Sequence, residues 1–104
     1  MASLAGLRPV FKPWAEALIQ VARRYSLSPH ITSGYRSVEK QRRLYERYLL
    51  GQHPFPVAPP GKSMHNYGLA FDMISNDNPW LGLVWEYWGG RYGGKRDSVH
   101  FSAG

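Results

Sequence analysis

Between Gln52 and Lys62 the chain carries Pro54, Pro56, Pro59, Pro60 and Gly61, and this stretch limits the fold more than any other. Proline donates no backbone N–H and fixes φ, so neither a helix nor a central strand can run through it. The segment is a loop, and one core must be built from elements on both sides of it. A chain of 104 residues fits one small domain. Residues 1–104 are therefore expected to form a single domain with no separate binding module.

Ahead of the loop, Trp14, Leu18, Val21 and Tyr25 recur at helical spacing, with Glu16, Gln20, Arg23 and Arg24 off that stripe. Pro13 suits a first turn, so a helix is predicted over 13–25 with the stripe buried. His30-Ile31-Thr32-Ser33 is β-prone. Ser37 is placed to cap a second helix from Val38 to about Leu50, with Glu39 in its first turn and Gly51 as its stop. Val38, Leu44, Tyr45, Tyr48 and Leu49 are expected on its buried side.

Beyond the loop, Leu69 to Ile74 reads as a strand that follows Gly68 and ends at Ser75-Asn76-Asp77-Asn78. Pro79 opens a third helix, in which Trp80, Leu83, Val84, Tyr87 and Trp88 form an apolar stripe closed by Gly89-Gly90. Val99-His100-Phe101 reads as a last strand. Helices and strands mix without βαβ regularity, so the expected class is α+β.

The chain has no cysteine, which excludes disulfides, thiolate metal sites and cysteine nucleophiles. Any metal has to be held by histidine and carboxylate. No run approaches the ~20 apolar residues of a membrane span. The segment from Met1 to Pro9 has no apolar region behind a basic start, so no Sec-type export signal is expected. The net charge of +6 lies in the first half: residues 1–50 hold nine Lys and Arg against three acids, and residues 51–104 hold four of each. Such a surface steers a protein toward nucleic acid, lipid headgroups or an anionic cell wall, although the same residues also read as solvated helix faces.

Three segments carry chemistry. In Ser63-Met64-His65-Asn66-Tyr67-Gly68-Leu69-Ala70-Phe71-Asp72, a strand puts Ala70 and Asp72 on one face, and Gly68 lets the chain from His65 bend toward it. In Asp97-Ser98-Val99-His100-Phe101, His100 completes with His65 and Asp72 the three protein ligands of a catalytic zinc, and Asp97 stands where a general base is needed. In Thr32-Ser33-Gly34-Tyr35-Arg36-Ser37, followed by Gln41, an arginine at a strand-to-helix junction can aim its guanidinium at a carboxylate or a developing oxyanion. Taken singly, each has a plainer reading: a surface histidine before a strand, an aspartate in a glycine-rich turn, a solvated arginine. Trp80, Trp85 and Trp88 are expected in the core, and His30 and His53 in structural roles.

Together and in this order, the segments resemble the zinc peptidoglycan peptidases of the D-alanyl-D-alanine carboxypeptidase and L-alanyl-D-glutamate peptidase family. The resemblance runs from Ile31 to Ser37 with Gln41, Leu44 and Tyr45, through a Ser-x-His-x-x-Gly-x-Ala-x-Asp pattern at Ser63 to Asp72, to Trp88-Gly89-Gly90 and Asp97-x-x-His100-Phe101. It implies a small DD-peptidase-like domain around zinc, held by His65, Asp72 and His100. Asp97 is then the catalytic base, Arg36 binds substrate and stabilises the oxyanion, and Ser63 and Gln41 make secondary substrate contacts. The Trp-Gly-Gly and Asp-x-x-His-Phe ending is more similar to the L-alanyl-D-glutamate endopeptidases common among phage endolysins than to the carboxypeptidases. Ser102, Tyr92 and Val99 depart from the family's usual residues but remove neither ligand nor base.

The implied partner is the peptidoglycan stem peptide, cut by a monomer that reaches the wall after release from the cytoplasm. Anionic wall polymers are expected to meet the basic half. A non-catalytic module that holds wall peptide is the alternative of another class. A small basic nucleic-acid binder leaves the spacing of His65, Asp72 and His100 unexplained, and no nucleic-acid partner is expected.

Overall fold

A computed structural model describes residues 3–104; Met1 and Ala2, the start of the segment read for an export signal, lie outside it. Three helices, α1 (Lys12–Arg24), α2 (Val38–Leu49) and α3 (Asn78–Tyr87), accompany four strands, β1 (His30–Ser33), β2 (Ala70–Ile74), β3 (Arg91–Tyr92) and β4 (His100–Ser102). The strands form one sheet in the order β1-β2-β4-β3, antiparallel at every pairing. The class is α+β, as expected, and residues 52–62 are loop. No helix among the described residues is long and apolar enough to cross a membrane.

Alternation along β2 and β4 sorts the sheet into two sides. Phe71, Met73 and Phe101 face the core, where they meet Phe11, Leu18, Leu81 and Trp85 from α1, α3 and the segment before α1. Phe71 and Phe101 stack at 5.3 Å between centroids, and Trp85 stands edge-on to both at 5.5 and 6.1 Å. Ala70, Asp72 and His100 face the opposite side.

The helices occupy the expected spans, but their buried stripes are turned. α1 buries Ala15, Leu18, Ile19 and Ala22, while Trp14 is 52% exposed and Tyr25 lies on the surface. The two alanines let α1 approach closely, and Trp14 and Tyr25 move to its rim to meet Trp88 and Trp80. α3 buries Leu81, Gly82 and Trp85, leaving Leu83 and Tyr87 exposed. Two contacts fix that phase. A Cβ at residue 82 would run into the Tyr92 ring, and the Trp85 indole N–H donates to Ser102 O at 2.8 Å. Of the three tryptophans expected in the core, Trp85 is fully inside.

α2 departs furthest. Only Gln41 is buried; Val38, Tyr48 and Leu49 are exposed, and Leu44 and Tyr45 are half-buried. The helix lies outside the sheet-and-helix core and packs its inner side on the proline-rich loop, so no apolar layer exists to cover the rest. Its cap is as expected, with Ser37 Oγ accepting from Lys40 N at 3.1 Å. Glu39 and Glu46 both pair with Arg42 on its surface. β3 was not foreseen, and two residues are too few for periodicity to show.

Candidate metal centre

One rung of the sheet organises the centre: Asp72 on β2 sits opposite Ser33 on β1 and His100 on β4. A register irregularity between Ile31 and Ser33 brings Ser33 level with Asp72. Past that rung, β1 leads through Gly34 into Arg36 and the cap of α2. His65 arrives from a single 3-10 turn, Met64–Tyr67, capped by Ser63 Oγ accepting from His65 N at 3.2 Å. Gly68 closes the turn at φ +68, and a Cβ there would press on Arg8 N and Gly6 O, so glycine is required for the chain to drop from His65 into β2.

His65, Asp72 and His100 each offer one ligand atom, and the three atoms lie within 4.8 Å of one another. His65 Nε2 is 3.2 Å from Asp72 Oδ1, His100 Nδ1 is 3.3 Å from the same oxygen, and the two rings are 5.2 Å apart. The His65 Nδ1–H donates to Gly34 O at 2.8 Å, which leaves Nε2 as the nitrogen that faces Asp72. Nε2 meets the carboxylate either as an N–H donor or, with its lone pair free, through a cation held between them. Burial pushes the Asp72 carboxyl up, but the hydrogen bonds and charges of His100 and His65 outweigh it and hold the group far below the usual carboxylate range. Two imidazoles and an ionised carboxylate form a donor set that fits zinc.

Arg36 and Asp97 flank the trio. Arg36 Nη2 donates to Ser33 Oγ at 2.9 Å and reaches Asp72 Oδ2 at 3.5 Å, while Nη1 donates to Gln41 Oε1 at 2.8 Å. Its Nε is buried and has no hydrogen-bond partner among the described residues. Burial lowers the Arg36 pKa from its ordinary value, and the charges of Asp72 and Asp97 act the other way. Burial raises the Asp97 pKa, and the nearby Asp72 carboxylate raises it further against the opposing pull of His100, His65 and Arg36.

Gln41, expected as a substrate contact, is 1% exposed, and both ends of its carboxamide are used: Oε1 accepts from Arg36, and Nε2 donates to Ala58 O at 2.9 Å. That places it behind Arg36, where it ties the arginine to the loop. The expected site residues Arg36, Gln41, Ser63, His65, Asp72, Asp97 and His100 all line one cleft of about 450 Å³. Its far wall is the proline-rich loop, including His53, Phe55 and Lys62. His53 therefore faces the site rather than standing apart from it.

Two asparagines hold the parts in place, and neither was foreseen in this role. Asn66 Nδ2 donates to Arg36 O at 2.8 Å while its Oδ1 accepts from Gly61 N at 3.1 Å, which joins the His65 turn to α2 and the loop. Buried Asn78 donates to Met73 O at 2.8 Å and Ser98 O at 2.7 Å, pinning the approach to His100 against β2. Sequence offers only a weak sign of such struts, an amide residue beside a motif or at a helix start.

The chain matches the family model VanY, D-alanyl-D-alanine carboxypeptidase, over residues 5–95. It is 32% identical over 93 residues to the peptidoglycan L-alanyl-D-glutamate endopeptidase CwlK of Bacillus subtilis (strain 168), a match that covers 88% of this chain and 55% of CwlK. The chain thus spans about half the length of that curated relative. Among solved structures, it is similar to the vancomycin-resistance D,D-pentapeptidase VanY in complex with Zn(II), with a TM-score of 0.74, 22% identity and coverage of 93% of this chain and 72% of that one. It is also similar to the L-Ala D-Glu endopeptidase ChiX of Serratia marcescens, with a TM-score of 0.64, 20% identity and coverage of 97% and 83%. At these identities the two structures show a shared fold. The family match takes in nearly the whole chain, including both the arginine segment and the Ser63 to Asp72 motif, and this protein belongs to the VanY family of peptidoglycan peptidases.

Proposed function

We propose that this protein is a zinc-dependent peptidoglycan peptidase that cuts the L-alanyl-D-glutamate bond of the stem peptide. The observation that carries the reading is the convergence of His65, Asp72 and His100 in a cleft that also holds Arg36 and Asp97. The likeness to CwlK supports the choice of bond, as do Trp88-Gly89-Gly90 and the Asp97-x-x-His100-Phe101 ending.

His65, Asp72 and His100 would hold zinc, which when bound would supply Lewis acidity toward water and the scissile carbonyl. Asp97 takes the proton of the attacking water and returns it to the leaving amine, and its raised pKa brings it closer to a group that can do both. Arg36 keeps one Nη1 donor beyond its contact with Gln41, which suits a single bond to the developing oxyanion. Gln41 and Ser33 hold the guanidinium in place. Ser63 Oγ accepts from His65 N, so its own O–H is left for substrate. The 104 residues act as one monomeric catalytic unit, with the basic first half drawing it to anionic wall polymers. Raising salt is then expected to slow digestion of whole walls far more than cleavage of a soluble peptide amide, and equal slowing of both would place the effect inside the cleft.

The description of the matched family favours a second reading, D-alanyl-D-alanine carboxypeptidase. Digestion of a defined stem pentapeptide, read by mass spectrometry, separates the two. Release of free L-alanine is expected, and release of free D-alanine with the alanyl-glutamate bond intact would assign the carboxypeptidase reaction.

A further inference from the structure

An L-alanyl-D-glutamate peptidase must accommodate the free α-carboxylate of a glutamate joined through its side chain, right beside the amide to be cut. A carboxylate drawn partly out of water needs a cation. Arg36 does not offer it a two-pronged grip. Both bidentate edges of a guanidinium, Nε with Nη2 and Nη1 with Nη2, use Nη2. That nitrogen already serves Ser33 Oγ and Asp72 Oδ2. One Nη1 donor is spent on Gln41 as well.

The cleft lining contains one other lysine or arginine, Lys62. Its backbone is pinned from several directions. Lys62 N donates to Pro59 O at 3.0 Å, and the preceding Gly61 donates to Asn66 Oδ1 at 3.1 Å and accepts from the Tyr67 hydroxyl at 2.6 Å. Asn66 and Tyr67 belong to the turn that carries His65, so the base of the Lys62 side chain is fixed relative to the metal ligands while its end stays solvated. Among the described residues Lys62 enters no ion pair, whereas the Asp72 carboxylate of the lining is already engaged by Arg36 and the two histidines. The result is a cation anchored at its base on the cleft wall, with no ion-pair partner among the described residues.

We infer that Lys62 is the specificity-determining cation of this cleft, pairing with the free carboxylate of the substrate residue on the leaving side of the scissile amide. The inference rests on the endopeptidase reading and extends it to the substrate's charge: a stem peptide with D-glutamate is preferred over one whose α-carboxylate is amidated. A solvated lysine-to-carboxylate pair of this kind is worth about two- to fivefold in apparent affinity.

The test uses two soluble stem peptides that differ only in that carboxylate or carboxamide, with wild type, Lys62→Met and Lys62→Arg, and zinc content measured for each. Wild type is expected to favour the carboxylate peptide. Lys62→Met raises KM for it about two- to fivefold, with a much smaller change for the amide peptide, and Lys62→Arg restores the preference. Equal changes on both peptides, or none on the carboxylate peptide, overturn the inference. If wild type cuts neither, the endopeptidase reading fails, and calorimetric binding of the same two peptides decides Lys62. A carboxylate preference that Lys62→Met abolishes upholds the subsite, and binding without such a preference removes it.

Discussion

Phe101 and His100 are neighbours on β4, as Phe71 and Asp72 are on β2, yet they belong to different kinds of structure. The aromatic side of the sheet is filled: Phe71 and Phe101 are wholly buried against α1 and α3, and their contacts are non-directional and area-driven. The polar side is held by a few directed bonds from Gly34, Ser33, Gln41 and Asn66, and it opens onto a cleft. The two sides are coupled through register. A slip of one residue would turn Phe71 outward and drive Asp72 into the core, so the cost of exposing the aromatics is what keeps His100 and Ser33 level with Asp72. The filled side provides alignment, and the open side provides chemistry.

The largest effect is expected where that division is sharpest. His100→Ala should abolish zinc binding and bring cleavage below detection, while the urea midpoint of the metal-free protein moves little, because a half-buried side chain contributes little area to the core. Phe101→Ala, one residue along, should cost about 3–5 kcal/mol in urea unfolding. Full zinc retention by His100→Ala would remove it from the ligand set, and a midpoint shift as large as that of Phe101→Ala would erase the distinction between the sides. Asp97→Asn follows in size: with zinc kept, activity should fall about 10²–10⁴-fold, as for loss of a general base. Turnover within a few-fold of wild type would send the search for the base elsewhere.

The polar rung was easier to read from sequence than the aromatic side, although the aromatic side is the more ordinary structure. Ser63 to Asp72 and Asp97 to His100 are local patterns, and alternation along a strand is enough to place Ala70 and Asp72 together. The phase of α1 and α3 is set instead by what each helix meets. Trp85 turns inward because its N–H finds Ser102 O and because Gly82 admits Tyr92, and neither partner is within a helical turn of it. For α2 the apolar spacing of Leu44, Tyr45 and Tyr48 gave the right helix and the wrong degree of burial, since a stripe says nothing about whether a layer exists to receive it. His53 and Lys62 sit in a loop whose wall-forming role depends on Gln41 reaching Ala58, a contact across 17 residues.

Gln41 tests how the open side is held together. Gln41→Ala removes the acceptor for Arg36 Nη1 and the donor to Ala58 O, and activity should fall about tenfold with zinc retained. Gln41→Glu restores the acceptor facing Arg36 but not the donor to the loop. Recovery of kcat with KM still raised would assign Arg36 alignment to the oxygen and loop placement to the nitrogen. Equal loss in both variants would make Gln41 a packing residue only.

The smallest effects compare two helix caps. Ser37 Oγ accepts from Lys40 N at the start of α2, and Asp77 Oδ1 accepts from Trp80 N at 3.2 Å at the start of α3. By local chemistry the two caps are alike, each worth about 1 kcal/mol on replacement by alanine. Their surroundings are not alike. α3 buries Leu81 and Trp85, so its first turn unfolds with the core, and Asp77→Ala should lower global stability by about that amount without touching cleavage. α2 buries only Gln41, so the same loss at Ser37 should appear as local opening: faster amide exchange in the first turn of α2 and an almost unchanged urea midpoint. Because Gln41 lies one turn beyond the cap and steadies Arg36, Ser37→Ala should also reduce cleavage about two- to fivefold. If both variants shift the urea midpoint equally, α2 shares the cooperative unit of α3, and the open side owes its order to the core and not to its own hydrogen bonds.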